Sequence, residues 1–363
     1  MTPTTETLKP VSSEGGADTM LAAPPATIPI IDVAPLRQGD VAEVAADIGR
    51  ACRETGFFYV TGHGIREDLL KSVFDRAANF FTRDDAEKRQ VIYSASSNRG
   101  YVPFKGEALD PGRPSDLKEA YNIGLELPPD DPELAERRMF RAANLWPEMP
   151  GFRQTMLDYY DACHGLGRLL HRGFAIDLGL PPDFFEDKLD RPMAVLRLLH
   201  YPQAPTRIDK GQLGAGEHTD YGCVTLLATD GVGGLEVRTR SGEWLAAPHV
   251  PGAFVCNIGD CLMRWTNDIY VSTPHRVVAP AGRERYSVAF FLDPNPDATI
   301  ACLPGCATVE RPAKYTPIRA DQFLLSRLSP TYEQSGLGKG ATPGGGGALN
   351  AEESDALQKS HKE

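Results

Sequence analysis

His218 and Asp220 stand two positions apart, a second histidine at 275 follows after a long run of apolar segments and turns, and Arg285 and Ser287 lie shortly beyond it. On extended backbone, side chains two apart leave from one face, so the first pair can point at a common centre. Two imidazoles and a carboxylate fill one triangular face of an octahedron and leave three positions open, the arrangement that suits oxygen chemistry at non-haem Fe(II). Zinc with a bound water is the competing occupant. Arg285 and Ser287 tip the balance: also spaced by two, they aim a guanidinium and a hydroxyl in one direction. That is a receptor for a carboxylate, which a hydrolytic zinc site does not need.

Joined to Tyr201 in Leu199-His200-Tyr201-Pro202, the His-x-Asp, distant His and Arg-x-Ser pattern resembles the Fe(II)/2-oxoglutarate-dependent dioxygenases of the isopenicillin N synthase-like family. The resemblance runs from Ile28 to Pro296, with a C-terminal helical piece beyond. It includes Ile28-Pro29-Ile30-Ile31-Asp32 and the stretch from Gly56-Phe57-Phe58-Tyr59 to Gly62-His63-Gly64-Ile65. It implies that His218, Asp220 and His275 ligate Fe(II) and that Arg285, Ser287 and Tyr201 hold the distal carboxylate of 2-oxoglutarate. One position is then left for O2. The implied reaction oxidises an unactivated C–H bond of a small soluble metabolite by hydroxylation, desaturation or cyclisation, with release of succinate and CO2. Many plant members carry Asn-Tyr-Tyr-Pro where this chain has Leu199-His200-Tyr201-Pro202, so one polar contributor is lost. The family's cleft also draws on the loop region that holds Arg99, Tyr101 and Lys118 here. These are the expected substrate contacts, the two cations favouring a substrate with a carboxylate. Two other readings stay open: an Fe(II) oxidase of the isopenicillin N synthase type that uses no 2-oxoglutarate, and a cupin-like metal-binding protein without turnover.

A metal centre of this kind needs a rigid frame. From Ala194 the chain turns to short apolar runs separated by turn signals such as Asp230-Gly231, Ser241-Gly242 and Gly259-Asp260. Strands are predicted at 194–200, 216–220, 224–229, 234–238, 244–246, 254–258, 271–278 and 286–292, which suits a double-stranded β-helix, or jelly roll. Upstream, apolar residues at helical spacing predict helices over 41–54, 69–81, 133–143 and 152–178. In the second, Leu70, Phe74, Ala77, Ala78 and Phe81 form the stripe. The last turns Met156, Tyr159, Tyr160, Cys163, Leu166, Leu170 and Phe174 inward. The expected fold class is therefore α+β: a jelly-roll core flanked by an N-terminal helical region and a C-terminal helix. The organisation read from the sequence is a disordered lead (1–27), an N-terminal dioxygenase region (28–150), the long helix with the catalytic core and C-terminal helix (151–330), and a disordered tail (331–363).

Four other histidines are read as turn, surface or packing residues, although His249 could in principle replace His275, which the spacing to the Arg-x-Ser element favours. His63 falls in a Gly-His-Gly turn, His164 and His171 lie seven apart on the long helix with no carboxylate at matching spacing, and His249 sits in a Pro-flanked turn. A net charge of −11 and no basic stripe argue against a nucleic-acid surface. The seven cysteines form no Cys-x-x-Cys pair, which suits reduced thiols and a cytoplasmic setting. No signal peptide or membrane span is read, and a monomer is expected.

Overall fold

The computed structural model describes residues 27–335 except 40, 111, 204–210 and 280–281. The expected lead and most of the expected tail lie outside the described residues. Strands in chain order are β1 (Ile30–Asp32), β2 (Phe57–Thr61), β3 (Gly100–Val102), β4 (Glu119–Gly124), β5 (Val195–Tyr201), β6 (Ala215–His218) and β7 (Val224–Thr229). They continue with β8 (Leu235–Arg238), β9 (Trp244–Ala246), β10 (Phe254–Ile258), β11 (His275–Val277), β12 (Arg285–Leu292), β13 (Thr299–Ile300) and β14 (Ile318–Arg319). The helices are α1 (Pro35–Gln38), α2 (Ala42–Glu54), α3 (Glu67–Phe81), α4 (Asp85–Lys88), α5 (Pro132–Ala135), α6 (Phe152–Asp177), α7 (Asp260–Trp265) and α8 (Ala320–Ser335).

Two sheets form the jelly roll. The larger has the order β1-β2-β10-β7-β12-β5-β4-β3 and the smaller β6-β11-β8-β9. Strand β12 shows how sequence sets the layers. Its period of two sends Arg285, Ser287, Ala289 and Phe291 into the cavity between the sheets, while Val288, Phe290 and Leu292 enter the core shared with the helices. There the Phe290 ring meets Tyr160 of α6 edge-on at 5.0 Å. Gly167 lets α6 come this near, because a Cβ there would lie 2.5 Å from a Leu292 methyl. The seven residues expected to face inward on α6 are all buried. On α3 the buried face is Val73, Ala77, Phe80 and Phe81, so the helix is rotated slightly from the expected stripe, with Leu70 and Phe74 at its margin.

Four expectations are corrected. The helix over 133–143 stops at Ala135, because Arg138 and Arg141 fold back onto Glu133 at 3.1 and 2.9 Å and Arg137 and Phe140 take positive φ. The strand over 271–278 shrinks to His275–Val277, starting just after Pro274, which has no N–H to give a ladder. The strand over 216–220 ends at His218, so Asp220 stands in the following bend. At the other end α8 runs to Ser335, past the expected start of the tail. Among the described residues, no helix is long and apolar enough to cross a membrane.

Candidate active site

His275 and His218 are direct cross-strand partners on β11 and β6, their rings 4.3 Å apart. The register then slips, Val277 pairing with Ala215, so that Ala215 and His218, three apart, both reach the cavity. Bulges of this kind re-aim side chains beside active sites. Asp220 joins from the bend after β6, whose backbone is pinned where the Asp260 N–H donates to the Asp220 carbonyl at 2.8 Å. That pin needs a close approach of two turns: a Cβ on Gly259 would lie 2.3 Å from the Gly222 carbonyl oxygen.

The donor set fits a metal. Asp220 Oδ1 lies 3.7 Å from His218 Nε2 and 3.6 Å from His275 Nε2, and the three ligand atoms all fall within 4.8 Å of one another. His218 Nδ1 faces the Gly216 carbonyl at 2.7 Å and His275 Nδ1 the Thr273 carbonyl at 3.2 Å. A carbonyl accepts only, so each Nδ1 carries a proton, and in the neutral ring Nε2 is then the nitrogen whose lone pair can take a metal. Asp220 Oδ2 accepts from Thr225 Oγ1 and from Asn257 Nδ2, the latter at 2.7 Å, which leaves Oδ1 free to ligate. Burial opposes the charge on Asp220, but His275, His218 and these two donors outweigh it and hold the carboxyl below its usual range. Burial and then His275 push the His218 imidazole down. A depressed imidazole at His218 beside an ionised Asp220 suits a divalent metal, which binds a neutral ring and a carboxylate anion.

Arg285 and Ser287 face the same cavity from β12. Arg285 is 1% exposed; its Nε donates to the Val232 carbonyl at 3.2 Å and its Nη1 to Ser287 Oγ at 3.1 Å. Among the described residues no carboxylate pairs with it. An unpaired buried charge is costly, so this guanidinium is set for an anion from outside the chain. Tyr201 is its cross-strand partner on β5. His200 points to the other side of the sheet, where Glu119 Oε1 and Glu284 Oε2 take its two nitrogens at 2.7 and 3.0 Å.

The three expected substrate contacts fare differently. Lys118 does line the cavity, but it is spent on an ion pair with Asp116 and lies 3.6 Å from Glu107, which also binds Arg197. Burial works against the charge on Glu107, yet Arg197 and then Lys118 hold its carboxyl down at about 2. Arg99 and Tyr101 are corrections, for neither lines the cavity. Arg99 is buried against the carbonyls of Ser97, Asn98 and Phe140, and Tyr101 packs on Phe80 and donates its hydroxyl to Glu119. Both side chains leave the sheet on the helical side.

Residues 28–149 match the family described as non-haem dioxygenase in morphine synthesis N-terminal, and residues 192–294 match the 2OG-Fe(II) oxygenase superfamily. The chain is 37% identical over 318 residues to the 2-oxoglutarate-Fe(II) type oxidoreductase hxnY of Emericella nidulans, covering 85% of this chain and 91% of that one. The protein belongs to the 2OG-Fe(II) oxygenases. This oxygenase is also 39% identical over 326 residues to homoarginine-6-hydroxylase 2-ODD-233 of Oryza sativa subsp. japonica, with 84% and 97% of the two chains covered. Its fold superposes with a TM-score of 0.75 on Neurospora crassa T7H, solved in complex with alpha-KG and thymine, at 34% identity over 84% of this chain and 96% of that one. It is a dioxygenase that uses Fe(II), 2-oxoglutarate and O2.

Several residues of the oxygenase's site escaped sequence reasoning. Asn257 is the one polar side chain in the buried strand Phe-Val-Cys-Asn-Ile, and Arg197 is a lone cation in Val-Leu-Arg-Leu-Leu; both breaks in pattern were available as signals. Thr225 carries no such signal, since threonine is ordinary in a strand. Leu324 and Leu328 of α8 also line the cavity, and only the fold brings them there. His63, His164, His171 and His249 bond instead to Gly252, Leu189, Gly167 and Thr229, and among the described residues the metal group contains none of them.

Proposed function

We propose that His218 and His275 through Nε2 and Asp220 through Oδ1 hold the iron, and that Arg285, Ser287 and Tyr201 hold the far carboxylate of 2-oxoglutarate. The observation that carries this reading is the buried Arg285, without an acid partner among the described residues, facing the cavity that contains the three ligand atoms. One cavity carries Arg285 and Ser287 together with the three ligand residues on its wall.

Bound iron supplies the oxygen chemistry, coupling conversion of 2-oxoglutarate to succinate and CO2 to oxidation of a substrate C–H bond. The chain's own residues bind and orient. Arg285 and Ser287 fix the far end of the co-substrate with charge-assisted hydrogen bonds and so set its reach toward the ligand atoms. Leu199, Leu227, Ala289 and Phe291 give the same cavity an apolar lining, and a low dielectric there strengthens each polar contact. Hydroxylation, desaturation and cyclisation are all compatible with this machinery, and the substrate is a small metabolite, as for the relatives named after homoarginine and solved with thymine. The seven free thiols, six of them buried, support a reducing, cytoplasmic setting, and a monomer is the working assembly.

Anaerobic addition of Fe(II) and then 2-oxoglutarate, followed by absorption spectroscopy, tests the two sites in turn. A substrate screen read by succinate release follows. The assignment requires a new absorption that needs both components; a metal-binding protein with no affinity for 2-oxoglutarate would show none.

A further inference from the structure

The cavity wall on the side of β4 and β5 has its cations already matched, Lys118 by Asp116 and Glu107, and Arg197 by Glu107. Among the described residues, two acceptors lining the cavity are not matched. Asp293, two residues past Phe291 on the same inward face, lines the cavity and is 5% exposed. Its Oδ1 would lie 2.9 Å from a Cβ built on Gly222, which puts it beside the metal-ligand bend. Among the described residues its carboxyl has no hydrogen-bond or ion-pair partner. Asn122 of β4 lines the same cavity. Its Nδ2 donates to Asn98 Oδ1 at 3.2 Å, an oxygen that the Tyr93 hydroxyl also meets at 3.2 Å. That acceptor turns the Asn122 Nδ2 toward Asn98, and among the described residues its own Oδ1 is buried without a donor. A native interior leaves few such groups unmet, and each one calls for an explanation.

We propose that the substrate is a nitrogen compound, neutral or cationic, that donates N–H hydrogen bonds to Asp293 and Asn122, rather than a carboxylate. The proposal rests on the reading that Arg285 is reserved for 2-oxoglutarate, which leaves no unmatched cation described on the substrate side. It replaces the expectation of an anionic substrate, which depended on Arg99 and Lys118. The first lies outside the cavity and the second is neutralised within it.

The test uses the full chain with Fe(II) and 2-oxoglutarate, without oxygen, and matched probes that differ in N–H groups or charge. Thymine is compared with 1,3-dimethylthymine, and benzamidine with benzoate, by the change in the iron–2-oxoglutarate absorption and by thermal shift. At least one N–H donor should bind about tenfold or more tightly than its partner, since a partner that cannot donate leaves a buried acceptor unmet. Thymine winning identifies a neutral substrate, benzamidine a cationic one. Asp293→Leu and Asn122→Leu should erase the preference while the absorption still forms. Equal affinities within both pairs, or tighter binding of benzoate or dimethylthymine, overturn the proposal even if neither variant folds, because that comparison needs only the parent chain. Failure of the absorption to form in the parent counts against the iron and 2-oxoglutarate assignments instead, and the thermal shifts still decide the N–H preference.

Discussion

Arg285 lies over the ring of Tyr201, its guanidinium carbon 4.7 Å from the ring centre, and the two residues pair directly across β12 and β5. A cation over the face of a desolvated phenol is attracted by the ring and flattened against it. With Nε on the Val232 carbonyl and Nη1 on Ser287, the plane of the guanidinium is fixed at three points before any ligand arrives.

Arg285→Gln should therefore raise the 2-oxoglutarate concentration needed for half-maximal succinate release sharply, a loss of about 2–5 kcal/mol. Ser287→Ala should cost less, about 1–2 kcal/mol, as expected for a neutral donor. Tyr201→Phe keeps the ring and should cost least. If the three variants matched the parent in a titration of 2-oxoglutarate, the clamp would lie elsewhere.

Asn257 holds the oxygen of Asp220 that does not face the other ligand atoms. Asn257→Leu should weaken Fe(II) binding by about 10–100-fold while the fold persists, the usual effect of removing a partner that orients a metal ligand. Equilibrium dialysis against iron checks this, and an unchanged affinity would show that Thr225 alone suffices to orient the carboxylate.

Lys118 and Glu107 are a matter of stability. Lys118→Met leaves the buried Asp116 carboxylate without its ion-pair partner and should cost about 3–5 kcal/mol of unfolding free energy. The acid limb gives a second reading. Glu107 titrates at about 2 in the folded chain against an ordinary value of 4.5. The lower folded value means that its contribution is present in full above the ordinary value and is lost as pH falls toward 2. In thermal melts, the gap between the parent and Glu107→Gln should be widest near neutral pH and close across that acid window.

Arg327 of α8 binds Asp260 Oδ2 at 2.6 Å, and Thr219, between the two ligands of the bend, donates to the same oxygen at 3.2 Å. Arg327→Met should cost about 2 kcal/mol and speed hydrogen exchange in α8 and in the bend from 219 to 222 together. Faster exchange in α8 alone would mean that the helix does not brace the ligands.

The chemistry was more legible in the chain than its surroundings. His218, Asp220 and His275 could be singled out because a metal restricts residue type and spacing, and Arg285 with Ser287 because a strand's period of two is rigid. The strands over 224–229, 244–246 and 254–258 were read to the residue, since turn signals bound each one. Substrate contacts failed for a physical reason: lying in a region that covers a cleft does not say which face a side chain takes. Tyr101 and Arg99 went to the helical side, and the charge on Lys118 was cancelled by Asp116 and, eleven positions upstream, Glu107. Asp293 and Asn122 show the converse, groups whose importance lies in a missing partner, which no spacing reveals.

Helix α8 contributes Leu324 and Leu328 to the cavity wall but none of the ligand or clamp atoms. The reactive parts sit on strands locked into two sheets, where a substitution disturbs register and metal together. A leucine on α8 can change size or polarity without touching either. Divergence among relatives has here a place to rewrite substrate preference in small steps while each intermediate form still turns over 2-oxoglutarate, and directed evolution of this oxygenase should begin at those two positions.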